Sequence, residues 1–492
     1  MKRSPRVVVV GGGLGGLSAA IHAAQLGGEV VVLESQSRLG GKAGSIQLGD
    51  VEVDTGPSML TMPDVFQQLW RLGPDDAALP LRQDGGNFLY RFPDGTSVPL
   101  AHRLDESLEH VEEKLGPQSR EEFQGFVDYA KEIWMRAAPY FVYGPAPTLA
   151  GVAKLGLSGL WDLGRIDPMR KMWSAICAKV GHPKLRSILA RYATYNGSNV
   201  LTAPATLNCI AYVELGLGGF GVTGGIRALI RSLARVARHH GVHIHTGTPV
   251  TGLVMRDNRV VGVRTDDDSV DADAVVANCD AALVRRWLPE NGRTASSVEP
   301  SMSGWNAIIK ARRLPDRPAH QVLFPEIYLE EFKDIFERDR PPKDPTVYVC
   351  APEKAHGTPG WEDHEPLFVM ANAPAEPASG PRPPEVFQEL EQTILSKLAK
   401  ADLIGAGDEV VWRRTPTELA ALYPESRGSI YGSSSNGMMA AFQRPSNRVH
   451  GIRGLYLASG SAHPGGGMPL AALSGRQAVR CLEKDLGRSL AI

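Results

Sequence analysis

Read as a pattern of apolar and polar positions, the chain opens with a continuous β-branched run, Val7–Val10. That is the pattern of a parallel strand buried on both faces. Leu14–Leu26 then reads as a helix and Val30–Leu33 as a second strand. A short strand around Val51–Val53 precedes helices around Met62–Arg71 and Asp105–Ala137. Within Gly218–Ile244 a loop leads to a helix and a strand. Ile226, Leu229, Ile230, Leu233 and Val236 recur there at helical spacing, and Gly241 punctuates the helix end. A hairpin stretch runs from Val250 through Val260–Arg264 to Val270, and Ala274–Val276 forms a strand ending at Asn278-Cys279-Asp280. Ala373–Pro384 is a proline-rich linker or long loop. Near the end, Leu455–Ala458 reads as a strand followed by a glycine-rich loop. A helix then opens near Pro469, a residue suited to the first helical turn. The expected class is α/β, without internal repeats.

Length and charge narrow the setting. A chain of 492 residues buries a large core and should hold two domains, interleaved where Ala274–Val276 returns to the first. Lys and Arg total 53 against 54 Asp and Glu, with no basic block and no acidic tail, so no nucleic-acid partner is expected. Cys177, Cys209, Cys279, Cys350 and Cys481 are scattered, odd in number and form no C-x-x-C pair. That pattern points to a reducing, cytoplasmic setting without structural zinc or disulfides, and no metal site is expected. The N-terminus runs straight into the first strand, which argues against a cleavable signal peptide. No stretch of about 18 apolar residues is present to span a bilayer. Tyr192–Val213 lacks charge but is too rich in Asn, Thr, Ser and Pro. Ala138–Leu163, apolar and broken by Pro139, Pro145 and Pro147, has two readings. It is either a buried helix–loop segment or a monotopic patch that dips into a bilayer. Composition does not separate core from interface.

The chemistry concentrates at the two ends. Gly11, Gly13 and Gly16 stand at G-x-G-x-x-G spacing between the first strand and the helix that opens at Leu14. Their expected roles are a tight turn, close approach of backbone to a pyrophosphate, and close helix–strand packing. The helix N-terminus would face the phosphates. Glu34, at the end of the second strand, lies at the offset of an acid that accepts from a ribose 2′-OH. Gly40-Gly41 follow six residues later, with Arg38 and Lys42 as cations expected beside the pyrophosphate. This E-x5-G-G run resembles the extended signature of FAD-binding amine-oxidase-like and carotenoid-desaturase-like flavoproteins, so FAD is expected rather than NAD. Gly56 and Pro57 form a turn, with Ser58 and Met59 after it, that either brings backbone close to a ligand or is an ordinary surface turn. Val250 is a candidate for touching adenine, with plain core as the other reading. In the C-terminal segment, Gly460, Gly467 and Met468 precede a helix whose N-terminus would stabilise the negative charge of reduced flavin. His463 is a candidate base, although a histidine before a proline in a turn is more often structural.

Over nearly its whole length the sequence resembles the bacterial phytoene-desaturase family of FAD-dependent carotenoid desaturases. The resemblance rests on VVVVGGGLGGLSAA, E-x5-GGKAG, DTGPSMLT, GGIRALIRSLARVARHHGVHI, ADAVVANCD and GLYLASGSAHPGGGMPLAALSG. Arg191–Gly197 (RYATYNG), Glu337–Cys350 and Leu473–Arg476 look like the branch that desaturates the C-3,4 bond of 1-hydroxylated acyclic carotenoids. Hydroxyneurosporene and methoxyneurosporene dehydrogenases belong to that branch. Ser459-Gly460-Ser461 stands where many flavoproteins have an Asp, which fits this family and not a typical amine oxidase.

The resemblance implies a Rossmann-like FAD-binding domain from residues 1–72, 215–289 and 414–492, interleaved with an α+β domain from 73–214 and 290–413. The second domain would bind substrate and face the membrane. The implied reaction takes a hydride to flavin and loses a proton, from a carotenoid dissolved in the membrane. No second G-x-G-x-x-G follows a strand, so oxygen or a quinone is expected as acceptor rather than a bound nicotinamide. Tyr192, Tyr195 and Glu214 are candidates for lining the tunnel or accepting the proton, with packing as the other reading of each. The polar groups of RYATYNG would bond a terminal hydroxyl. Alternatives are phytoene desaturation, carotenoid cis–trans isomerisation with no net redox change, a carotenoid-carrying flavoprotein without turnover, and amine oxidation. The last lacks an identifiable pair of aromatic residues to cage an amine.

Overall fold

The computed structural model describes residues 4–148, 164–289, 299–437 and 439–487. Two large sheets organise them. The first is parallel and five-stranded, in the order Leu455–Leu457, Ala274–Ala277, Arg6–Val10, Glu29–Leu33, His243–His245. The β-branched run is buried as its composition requires, with Val8 and Val9 at 0% exposure. From Arg6–Val10 the chain builds outward on one side through Glu29–Leu33 and His243–His245, then crosses to Ala274–Ala277 on the other. In open parallel sheets, ligands bind beyond the carboxyl ends of the strands at such a reversal.

Small residues let the helices of this layer approach closely. Helix Leu14–Gln25 packs on helix Met468–Leu486. A Cβ added to Gly475 would lie 2.2 Å from Gly15 O, so the two backbones meet there. On the opposite face, Leu253, Val260 and Val263 of a three-stranded antiparallel sheet share one core with Val8 and Val10.

The second large sheet has seven strands, in the order Glu409–Arg414, Ser303–Arg312, His364–Ala373, Val347–Cys350, His320–Leu323, Phe88–Arg91, Ser97–Leu100. Only the pairing of His320–Leu323 with Phe88–Arg91 is parallel. Helix Pro384–Lys400 covers one face through Phe387, Leu390 and Ile394, which pack on Trp305, Ala307 and Ile309. At the other end, helices Leu104–Leu115, Pro117–Phe141 and Pro183–Ala190 pack on Phe88, Tyr90 and Val98.

Two expectations are refined. The helical stretch Asp105–Ala137 is two helices, broken at Gly116, whose φ of +91° favours glycine, with Pro117 opening the second. That second helix runs through Pro139 to Phe141, so the start of Ala138–Leu163 is helical. Residues 149–163 of that segment lie outside the described residues. The proline-rich stretch at 374–383 is a loop, and Pro384 opens the following helix.

Candidate active site

A cavity of about 870 Å³ opens at the carboxyl end of Arg6–Val10 and extends between residues of both large sheets. Of the residues singled out in the sequence, Gly11, Gly13, Leu14, Glu34, Gly40, Gly41, Lys42, Gly56, Pro57, Ser58, Met59, Gly460, Gly467 and Met468 line it, together with Tyr195 and His463. Gly16, Arg38, Val250, Tyr192 and Glu214 do not.

The cradle at one side is made mostly of backbone. Gly11 has φ +98° and donates its N–H to Leu33 O at 2.8 Å. Glu34 Oε2 accepts from Gly12 N at 2.7 Å, which fixes the acid beside the glycine turn. Gly40 N–H donates to Gly12 O at 3.0 Å, so the paired glycines run alongside the first turn. Gly16 serves packing: a Cβ there would lie 2.0 Å from Gly11 O. Asn278, from the neighbouring strand, closes the cradle, its Oδ1 2.8 Å from a Cβ placed on Gly13. The long helices Leu14–Gln25 and Met468–Leu486 both open onto the cavity, and their N-terminal dipoles favour negative charge there. A Cβ on Gly467 would meet nothing within 4 Å, so the chain leaves room in front of the second of these helices. These residues suit an extended dinucleotide with a pyrophosphate.

The cations divide. Arg38 points away, 3.5 Å from Glu52 Oε1 and half exposed, because Glu52 already anchors a surface cluster with Arg231 and Ser45. Lys42 does reach the cavity, but its ammonium donates to Ser429 O at 2.8 Å and Ile430 O at 3.1 Å and lies over the Tyr423 ring. Burial pushes its pKa down. Val250 is half-buried and packs against the core that holds Val8 and Val10. His463 Nε2 bonds Gly144 O at 2.9 Å, its own N–H reaches Pro445 O, and burial lowers its pKa.

Across the cavity the wall is built of side chains. Residues Arg191–Asn196 form a 3₁₀ turn, in which positions i and i+3 eclipse. Tyr192 and Tyr195 therefore stand on one side, and both hydroxyls donate to Glu214, at 2.8 Å to Oε1 and 2.5 Å to Oε2. Burial pushes the Glu214 carboxyl above its usual range, against the pull of Arg191 and the two hydroxyls. Arg191 Nη1 donates to Tyr195 Oη at 2.9 Å and to Tyr90 Oη at 3.2 Å. The guanidinium also lies over the rings of Phe88 and Tyr348. A second chain of polar atoms runs from Ser58 through the Tyr348 hydroxyl to His320 Nδ1, and His320 Nε2 is fixed on Gly85 O at 2.8 Å. Between these walls the surface is apolar, with Trp134, Ala137, Ala138 and Phe141 from helix Pro117–Phe141.

Several of these residues escaped sequence reasoning. Asn278 stood at the end of ADAVVANCD, where a polar residue directly after a buried strand was the available signal. Arg444 holds the last glycine loop, donating to Gly460 O at 2.9 Å and Ser433 O at 3.0 Å, and no motif marked it. Tyr348 and His320 gave no signal, since they meet Ser58 only through the sheet.

Residues 14–482 match the family described as flavin containing amine oxidoreductase. Among curated proteins, the chain is 34% identical to the hydroxyneurosporene desaturase of Rubrivivax gelatinosus, over 98% of this chain and 94% of that one. It is 31% identical to the 4,4'-diaponeurosporene oxygenase of Staphylococcus aureus (strain MRSA252), covering 96% of each. Among solved structures, putrescine oxidase bound to putrescine superposes with a TM-score of 0.64 at 14% identity, over 99% of this chain and 100% of that one. An oxidoreductase from Methanosarcina mazei gives 0.60 at 16% identity, over 96% and 100%. These last two likenesses speak for the fold alone.

Proposed function

This chain belongs to the flavin containing amine oxidoreductase family and is an FAD-dependent enzyme, and from that premise we propose that it desaturates an acyclic carotenoid. The proposed substrate carries a 1-hydroxylated end, and the C-3,4 bond becomes the new double bond. The observation that carries this reading is the single cavity that joins a dinucleotide cradle to an apolar wall and a buried polar cluster. Support comes from the relatives, one named a hydroxyneurosporene desaturase and the other a diaponeurosporene oxygenase.

Bound FAD supplies a two-electron acceptor for hydride. The chain's own part is to bind, orient and keep water out. Gly11, Gly13, Glu34, Gly40 and Gly41 would hold the dinucleotide, and Gly467 with Met468 would face its ring end. Trp134 and Phe141 offer the polyene an apolar wall. The hydrogen lost as a proton needs only a weak base. Tyr195, which lines the cavity and is backed by Glu214, is the candidate there. Electrons would leave to oxygen or a quinone. The same reading assigns 1–72, 215–289 and 414–492 to the cofactor and 73–214 and 290–413 to the substrate and membrane side.

Peripheral membrane contact is part of the proposal. Among the described residues, no helix is long and apolar enough to cross a membrane. Helix Pro117–Phe141 turns Trp134 and Phe141 to the cavity, while Met135 is 62% and Tyr140 37% exposed. Flotation with liposomes should be nearly independent of salt, because apolar burial would drive it. Flotation that disappears at high salt would contradict that driving force.

The decisive test is incubation of the purified flavoprotein with liposome-borne 1-hydroxy carotenoid and, separately, with phytoene. Loss of two hydrogens and a red-shifted spectrum should appear mainly with the former. Equal turnover of phytoene would refute the end-group assignment. An isomer of unchanged mass, or a product that has gained oxygen, would refute desaturation.

A further inference from the structure

Arg191 is 8% exposed and lines the cavity, yet neither of the two groups that accept from its guanidinium is a carboxylate. Both bonds are made by Nη1, to Tyr90 and Tyr195. The Nε–H and the Nη2 pair have no acceptor among the described residues. A guanidinium is always charged and can only donate. The neighbouring tyrosines are not alternatives: the hydroxyls of Tyr192 and Tyr195 already donate to Glu214, and Tyr192 is fully buried behind the wall. On the same wall, Tyr328 Oη is buried without a hydrogen-bond partner among the described residues.

Resting on the carotenoid reading above, we propose that Arg191 is the residue that selects the substrate end, by donating its unused N–H groups to an oxygen lone pair. The Tyr195 hydroxyl holds Arg191 in place, Glu214 and Tyr192 hold Tyr195, and none of these groups reads the oxygenated end. A donor-only reader has a specific consequence. It accepts an ether or a carbonyl as readily as an alcohol, because none of them has to donate. A hydrocarbon end, in contrast, shuts these N–H groups off from water without pairing them.

Three forms of one acyclic carotenoid test this: the 1-hydroxy compound, its 1-methoxy ether and the unsubstituted hydrocarbon, each offered in micelles to the holoenzyme. Dissociation constants come from carotenoid carried with the protein through gel filtration, and KM and kcat from product formation. The wild-type protein should bind both oxygenated forms about ten- to hundredfold more tightly than the hydrocarbon, with the ether close to the alcohol. Arg191→Leu should collapse that gap, mainly in Kd and KM, and Arg191→Lys should restore part of it. If Arg191→Leu does not fold, Arg191→Gln replaces it, and equal wild-type affinity for the hydrocarbon would by itself overturn the proposal. Equal affinity for the hydrocarbon, rejection of the ether, or a folded Arg191→Leu variant that keeps its preference would each overturn the proposal. Preferential binding that Arg191→Leu abolishes, with every ligand recovered unchanged, would uphold Arg191 and overturn desaturation instead. Desaturation without preference would do the reverse.

Discussion

The two walls of the cavity are built from different materials. The cradle at Gly11–Gly16, Gly40-Gly41 and Gly467 is backbone, and its selectivity lies in the side chains it leaves out. The facing wall is a network of side chains, in which Arg191, Tyr192, Tyr195 and Glu214 constrain one another and Ser58, Tyr348 and His320 form a second chain. A backbone cradle fails abruptly, because an added atom has nowhere to go. A side-chain network degrades by steps, since each lost partner costs about 1–3 kcal/mol and leaves the others bonded. The first design suits an invariant ligand and the second a ligand whose end group must be told apart from close relatives.

The largest effect is expected at the cradle. Gly13→Val should give a colourless protein with unchanged far-ultraviolet dichroism, since the added atoms stand at the cavity lining and first meet the Asn278 side chain, not backbone. Full flavin occupancy in that variant would remove the contrast between the walls. Gly16→Val should go further and lose the fold, because its Cβ meets the Gly11 carbonyl, which cannot shift independently.

Acid should act through the side chains. Burial pushes His320 down to about 3 and His356 down to about 4, so both are neutral in the fold. In the unfolded chain each takes up a proton below its ordinary value of about 6.5. Their stabilising effect is therefore complete above about pH 6.5, and declines as pH falls toward 4 and then 3, by about 1.4 kcal/mol per unit for each group. Thermal midpoints followed from pH 7 to pH 4 should drop steeply, and less steeply for His320→Asn. A flat profile would show that these rings are not held neutral.

Within the network, Tyr195→Phe removes one donor to Glu214 and one acceptor of Arg191. Stability should fall by about 1–3 kcal/mol, with flavin content unchanged, as measured by denaturant unfolding and flavin absorbance. Loss of flavin would show the walls to be one unit. The smallest effect is expected for His463→Leu, which sacrifices the bond to Gly144 O. About 1 kcal/mol should be lost while the pH dependence of kcat keeps its shape. A vanished limb in that profile would instead make His463 the base.

The difference in materials also governs how much could be read in advance. Gly11, Gly13, Glu34, Gly40 and Gly41 lie in one strand–helix–strand unit and the loop that follows it, so spacing alone placed them on a common cavity. Arg38 belongs to the same stretch, yet its direction depended on Glu52, in a strand that folds back beside it. Side-chain direction on an exposed loop follows the nearest partner, and spacing carries no record of that partner. RYATYNG announced polar groups without saying which would face the cavity. The 3₁₀ turn decided that, by placing Tyr192 and Tyr195 on Glu214 and leaving Arg191 and Tyr195 on the cavity lining.

By itself, the sequence determined the class of fold, the dinucleotide cradle and the family, because each is written in local periodicity or in glycines whose backbone needs no partner. Only the tertiary structure decided the facing wall. Tyr90, Arg191, Glu214 and Tyr348 come from different segments of the chain, and the sheet and its covering helices bring them into one cluster of bonds and ring contacts. A buried polar group has to be satisfied by whatever folding brings next to it, and that neighbour is set by packing, not by order along the chain.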